Sequence, residues 1–412
     1  MKKYKPMNTK NKFIFLLLLL MTLSLSCTWL QKPGPALNPQ FITLPNNGYK
    51  VVDGINYLGI NVINKLIDSL PQENIIISPI NLSVVLTILC EGANNQTKDE
   101  IKNILHFNGL EEITVNSTFK SLLENLPKVD PNVDFLPANT VWIKDGFILT
   151  PDFVDKINTY FLTNFFVMPF NSSTLNQINN WIKDKTHGKI DYLMQTSDQN
   201  DIMDIINAYY FSARWFDGFN PENTQKADFT TCDNQTLQVT MMQDLISQAR
   251  FVINDSVSIG EIYFGNGNYS MIFVVPRTLH TLDEIVSKLT PEIWNNWMSS
   301  LTTLHPVLFE IPRLNINKFY NFDRELKLLG LSSTFTPQAD FSGISQGVYL
   351  TKAFQRTILE LKENGINDIS NARERRQATG DKLIANQPFL FAIRETTTGV
   401  MLILGIVRNP NQ

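Results

Sequence analysis

Asn364-Gly365-Ile366-Asn367-Asp368-Ile369-Ser370-Asn371-Ala372-Arg373-Glu374-Arg375-Arg376-Gln377-Ala378-Thr379-Gly380-Asp381-Lys382-Leu383-Ile384-Ala385-Asn386-Gln387 is a run of 24 residues almost devoid of apolar periodicity. Strand patterns flank it on both sides: the alternating Thr351 to Leu361 before it and the apolar Phe389 to Arg394 after it. Connections in compact domains are mostly about 4 to 6 residues, and structureless ones beyond about 15 are usually there for a function. This one carries Arg373, Arg375, Arg376 and Lys382 among small and polar residues. A long, exposed, arginine-bearing segment between two strands is what a protease would cleave.

Further strand patterns lie at Tyr269 to Val275, Val307 to Ile311 and Val400 to Val407. The last pairs with Phe389 to Arg394 through Glu395-Thr396-Thr397-Thr398-Gly399, a connection short enough for a hairpin. The first half reads as helical. Ile55, Leu58, Val62 and Leu66 recur at helical spacing, a second helix follows Ser78-Pro79, and Asn176 to Ile190 forms another around Ile178, Trp181 and Ile182, ending near Gly188. Thr97-Lys98-Asp99-Glu100 has capping-box spacing and predicts a third helix starting at Thr97, with Ile101, Ile104 and Leu105 on its apolar face. Helices first and strands later indicate an α+β fold.

The 412 residues are 43% hydrophobic and 18% charged with a net charge of −4, which suits a large core and argues against nucleic-acid binding by bulk charge. After residue 48 there is no linker-like composition and no repeat, so 49–412 reads as one domain. The N-terminus differs. Lys2, Lys3, Lys5, Lys10 and Lys12 precede the apolar run Phe13 to Leu25, which is too short to span a bilayer and has the flank of a secretory signal. Residues 1–26 are therefore expected to be removed on export. Cys27 resembles a bacterial lipoprotein lipidation site, although Leu23 stands one place further away than usual; the alternative is an ordinary signal peptide with an incidental cysteine. The expected product is a membrane-anchored lipoprotein or a periplasmic or extracellular protein. Residues 27–48, rich in proline from Pro33 to Pro45, read as a tether. Cys90 and Cys232 are too few for a disulfide framework and read as structural thiols.

No enzyme active site emerges. Gly343-Ile344-Ser345-Gln346-Gly347 fits a nucleophile-elbow pattern, but that arrangement needs a later histidine, and His106, His187, His280 and His305 all precede Ser345. Gly265-Asn266-Gly267-Asn268 lacks the lysine and helix of a phosphate loop. No histidines or cysteines have metal-ligand spacing, so neither metal nor cofactor is expected. The several Asn-x-Ser/Thr sequons are expected by chance in an asparagine-rich chain.

From about residue 50 to 410 the chain resembles the serpin family, motif by motif and in order. Asn74-Ile75-Ile76-Ile77-Ser78-Pro79, Gly92-Ala93 and Leu105-His106-Phe107 are similar to the family's second and third helices. Ile178-Asn179-Asn180-Trp181 with Thr186-His187-Gly188-Lys189-Ile190 follows. So does Asn207-Ala208-Tyr209-Tyr210-Phe211 with Trp215, Phe219 and Thr224. Leu328-Leu329-Gly330-Leu331 with Ala339-Asp340-Phe341-Ser342-Gly343 is the most specific match, and Gln387-Pro388-Phe389 and Gly405 to Pro410 close the chain. The resemblance implies three sheets, about nine helices and a reactive loop, here 364–387. It also implies a monomer that acts as suicide substrate for a serine protease, with cysteine proteases as a second class. The cleaved loop then inserts as a strand into the main sheet; serpin insertion is itself a known instance of strand addition. The alternative is a non-inhibitory binding protein of the same fold, whose loop is only cleaved.

By the same resemblance the hinge comprises Glu363, Gly365, Ile366, Asp368, Ser370 and Ala372, and the shutter and breach comprise Ser78, Asn207, Trp215 and Gln355. Ser370 and Ala372 suit an inserting strand. Asp368 does not, because an unpaired buried carboxylate costs several kcal/mol. Ile366 and Ile369 make the hinge bulkier than the family's alanine run. Gln355 stands where the family usually has histidine, which removes a titratable member from the shutter. Counting forward from Gly365 puts the reactive bond at Thr379–Gly380. Counting back from Phe389 puts it after Gln377, and Arg375 and Arg376 are chemical rivals for a trypsin-like pocket.

Overall fold

The computed structural model describes residues 36–161, 163–193, 198–279, 281–366 and 380–412. Pro39–Gln412 is one compact unit. In chain order the helices are α1 (Gly48–Ser69), α2 (Pro79–Gly92), α3 (Asn95–Ile104), α4 (Glu112–Asn125), α5 (Pro151–Tyr160), α6 (Ser172–Lys185), α7 (Leu282–Ser287), α8 (Pro291–Ser300) and α9 (Asp323–Leu329). The strands are β1 (Ile75–Ile77), β2 (Val133–Lys144), β3 (Asn164–Met168), β4 (Met203–Arg214), β5 (Gln225–Thr230), β6 (Thr236–Ile253), β7 (Val257–Phe264) and β8 (Tyr269–Pro276). They continue with β9 (His305–Pro312), β10 (Leu314–Asn321), β11 (Lys352–Lys362), β12 (Gly365–Ile366), β13 (Lys382–Ile384), β14 (Phe389–Glu395) and β15 (Met401–Val407).

Among the described residues the strands form three sheets, as expected. The main sheet has the order β10-β11-β12-β4-β2-β3. A second runs β1-β15-β14-β8-β7-β6, and the far part of β6 joins β5, β9 and β13 in a smaller third. The long β6 serves two sheets because its pairing with β9 slips between Ile246 and Ala249, which re-aims the strand. The hairpin β14–β15 forms around the expected turn.

The main sheet is covered on both faces. One face meets the large core, where α2, buried on every side, packs against β15, β2 and β4. The other meets a smaller cluster in which Ile178 and Ile182 of α6 cover Ala138, Ile206 and Ala208. A strand buried on both faces loses its polar–apolar alternation, so Met203–Arg214 has no period-two signature to announce it.

Two expectations change. Helix α3 starts at Asn95, not Thr97, and no capping box forms. The Thr97 hydroxyl accepts instead from Asp340 N at 2.8 Å, and the Glu100 carboxylate accepts from the backbone of Ser333 and Thr334. The segment 333–340 packs here with amides to satisfy, and a long-range acceptor wins over a local cap. The span 27–48 is also not a tether throughout. From Gln40 the backbone is held to the body: Gln40 N donates to Asn268 Oδ1 at 2.7 Å and Ile42 is buried.

Candidate functional site

The site is the seam between β4 and β11. These strands run parallel and pair Asp204–Tyr210 with Lys352–Ile358; above that point they part. Between them lie Gly365 and Ile366 as β12, antiparallel to both, with Ile366 opposite Leu361 on one side and Ala213 on the other. Ile366 is fully buried, worth about 1.5–3 kcal/mol of transfer from water. The isoleucine expected to encumber the hinge is thus a core residue. Gly365 makes this approach feasible. Its φ is +140°, and a Cβ there would sit 2.0 Å from Ala213 O.

The turn above the seam is pinned from several directions. Trp215 stacks on Phe264 with centroids 4.1 Å apart, and its indole Nε1 donates to Lys362 O at 3.1 Å. Trp215 N donates to Asn364 O at 2.8 Å and Phe219 N to Glu363 O at 2.9 Å. The buried Glu363 carboxylate accepts from Arg313 Nε at 2.9 and 3.1 Å and from Thr224 Oγ1 at 2.6 Å. Burial by itself would raise this carboxyl, but the hydrogen bonds from Arg313 and Thr224 outweigh it and hold the group below the usual carboxylate range.

Lower down, Gln355, Asn207 and Asn139 stand in register across β11, β4 and β2. Ser78 N donates to Gln355 Oε1 at 2.7 Å, and Gln355 Nε2 returns a bond to Ser78 O at 3.1 Å. Asn207 Nδ2 donates to Phe354 O at 3.2 Å, and Asn139 Nδ2 makes a long contact of 3.4 Å to Asn81 Oδ1. Ser78 Oγ, Asn139 Oδ1 and Asn207 Oδ1 have no hydrogen-bond partner among the described residues. Buried polar atoms left unpaired are costly, so the middle of the closed seam carries a local penalty.

A family model described as Serpin (serine protease inhibitor) matches residues 53–410. The chain belongs to the serpin family. It is 31% identical to the serine protease inhibitor A6 of Xenopus laevis over 350 residues, which are 82% of this chain and 78% of that one. It is 26% identical to the corticosteroid-binding globulin of Pongo abelii, covering 94% and 97% of the two chains. Among solved structures, the thermophilic serpin tengpin in its native state superposes with a TM-score of 0.81 at 23% identity, over 91% of this chain and 97% of that one.

In this serpin the loop is shorter than 364–387, because both ends join sheets. Lys382–Ile384 pairs in parallel with β9, Leu383 is fully buried, and Leu308 N donates to Asp381 O at 2.9 Å. His305 Nε2 lies 3.1 Å from Asp381 Oδ2 at the foot of this stem. Of the proposed reactive bond Thr379–Gly380, Gly380 is described, at φ +120° in open space. Thr379, Arg375, Arg376, Gln377, Asp368, Ser370, Ala372 and Cys27 lie outside the described residues.

The structure brings Glu363, Gly365, Ile366 and Trp215 together at the top of the seam and Ser78, Asn207 and Gln355 at its middle. Sequence reasoning missed Arg313, Asn81 and Asn139, whose partners are distant in the chain and leave no local pattern, and it named Thr224 only as part of a motif, without its bond to Glu363. Ser345 sits among turns with no strand before it and no helix after it. The segment Gly265 to Asn268 is the β7–β8 turn, with Asn266 N donating to Asp130 Oδ2 at 2.6 Å. Cys90 and Cys232 are both unbridged; burial pushes the Cys90 thiol up to about 12, and Cys232 donates to Gln72 Oε1 at 3.1 Å. No cluster of metal-ligating side chains occurs among the described residues.

Proposed function

We propose that this serpin inhibits serine proteases as a suicide substrate. The observation that carries the reading is β12: the seam is already parted at its top, and the first two residues after the Glu363–Asn364 turn occupy it in antiparallel register. A protease serine attacks the carbonyl carbon of Thr379, the amino group of Gly380 leaves, and an acyl ester remains. The freed strand continues down the seam from Ile366, and the ester-linked protease is carried with it before water can complete hydrolysis. Arg375–Arg376 and Arg376–Gln377 are the rival bonds for a trypsin-like enzyme. Cysteine proteases are a second target class. The mechanism requires no metal or cofactor, and the protein acts as a monomer. A serpin–protease band that survives boiling in detergent, with a gain in thermal stability on loop cleavage, is the expected result. Cleavage without either overturns the reading.

One observation favours the non-inhibitory alternative. A cavity of about 640 Å³ opens between α1 and α8, lined by Lys50, Asp53, Tyr57, His106, Thr290 and Asn295 among others. Its volume is in the range of small-molecule sites, and its lining is mainly polar with Tyr57, Leu110 and Pro291 as the apolar contacts. Titration with a corticosteroid, followed by tryptophan fluorescence, tests it; the absence of saturable binding removes this support.

We also propose that residues 1–26 are removed and that Cys27 carries the lipid of an exported, membrane-anchored protein. Among the described residues no helix is long and apolar enough to cross a membrane. Detergent-phase partitioning of wild type and Cys27→Ala from an exporting host decides it, with equal partitioning against the lipid.

A further inference from the structure

The foot of the seam holds an ionic cluster that loop insertion does not by itself require. Asp204 on β4 and Lys352 on β11 are the first register pair of the parallel seam. Asp204 is 1% exposed, and the donor within reach of its carboxyl is Thr351 Oγ1 at 2.9 Å. That hydroxyl accepts from Ile202 N and Met203 N, both at 3.0 Å, and also lies 2.8 Å from Met203 O. Its single proton is therefore contested by two acceptors. Lys352 Nζ is committed elsewhere, 2.6 Å from the buried Asp201. Asp323, at the start of α9, accepts from Ala353 N at 2.9 Å beside the same strand.

The charges acting on Asp204 thus come from three elements: Asp201 ahead of β4, Lys352 on β11 and Asp323 on α9. Asp198 also acts on Lys352, and Lys144 on Asp198. Lys352 is the ammonium that acts on both Asp201 and Asp204, while Asp323 also feels Lys327. Burial first, and then the Asp201 charge, push the Asp204 carboxyl well above its usual range, while Thr351 and Lys352 pull it back only in part.

We propose that Asp204 is a proton-operated latch at the foot of the seam: protonated, it leaves the seam closed; ionised, its proton lost to solvent, it repels Asp201 and Asp323 and loosens the pairing of β4 with β11. The regulatory consequence, easier strand insertion at higher pH, rests on the inhibitory reading. The proton linkage does not. Because the folded carboxyl is raised above its unfolded value of about 3.9, its contribution is fully present below that value and is lost as pH rises through the folded one.

The test compares wild type with Asp204→Asn, which keeps the shape and cannot ionise. Between pH 5 and pH 8 the thermal midpoint of wild type should fall relative to the variant, by about 1–1.5 °C for each kcal/mol of linkage in a domain of this size. Native-state hydrogen exchange should place the loosening at the amides of 203–207 and 352–355, with opening rising about tenfold more in wild type than in the variant. A midpoint difference that does not vary with pH, or exchange that changes equally in both proteins, overturns the latch. Asp204→Ala supplies the same comparison if the asparagine variant does not fold. If cleavage of the wild-type loop adds no thermal stability, the insertion reading falls and takes the regulatory consequence with it; the linkage is still judged by the midpoints.

Discussion

Gln355 and Ser78 hold one another through both ends of a single amide: Gln355 accepts from the Ser78 N–H and donates to the Ser78 carbonyl. This ties β11 to the residue that opens α2, directly under the seam. The Ser78 N–H relies on this side chain, its carbonyl also accepts from Leu82 N at 3.2 Å, and no proton equilibrium enters.

Gln355→Ala should therefore leave the buried Ser78 N–H without a partner, while the Ser78 carbonyl keeps its bond from Leu82 N at 3.2 Å, and cost about 1–3 kcal/mol. Urea unfolding at two pH values checks this. A loss below about 0.5 kcal/mol would mean that Ser78 finds other partners.

The Glu363 clamp should show on the acid side. Its folded carboxyl is held below its unfolded value of about 4.3, so its contribution is present above that value and is lost as pH falls through the folded one. Because Arg313 is 43% exposed at its side chain, solvent screening reduces the pair to about 1 kcal/mol. Glu363→Gln should be less stable than wild type at pH 7, and the difference should shrink as the pH is taken down below the ordinary glutamate range. Parallel stability curves across that range would exclude the clamp as an acid-sensitive element.

Continuing the β12 register down the seam would set Asp368 against Phe211 and Leu359, both fully buried, and Ala372 against Asn207 and Gln355. An unpaired carboxylate facing two apolar core side chains costs several kcal/mol before any compensation. Asp368→Ala should therefore speed insertion and raise the fraction of protease trapped, and Ala372→Asp should lower it. Moles of serpin consumed per mole of trypsin-like or elastase-like protease silenced measure this. An unchanged ratio for Asp368→Ala in a working inhibitor would show that the register does not continue as drawn.

Limited proteolysis should cut first between Ala372 and Asp381. The loop read from the sequence runs on to Gln387, but Leu383 is in the core and Lys382–Ile384 is paired with β9, so these bonds are withheld. Mass spectrometry of early fragments from several proteases decides it, and first cuts elsewhere in the domain would contradict the loop assignment.

What the sequence by itself determined is whatever local spacing or order along the chain can encode. The period of Ile55, Leu58, Val62 and Leu66 announced α1, Glu395–Gly399 announced the β14–β15 hairpin, and the ordered motifs announced the family. Tertiary structure decided the rest, because partners far apart in the chain settle it. Thr97 and Glu100 have capping spacing, yet they serve amides more than 230 residues away. Met203–Arg214 hides as a strand because both its faces are covered, and covered faces carry no alternation. Ile366 reads as an awkward hinge residue until Leu361 and Ala213 close around it. Asp204 reads as an ordinary acid at the head of an apolar run. Only the pairing of β4 with β11 buries it beside Asp201 and Asp323, where the cost of its charge makes it matter.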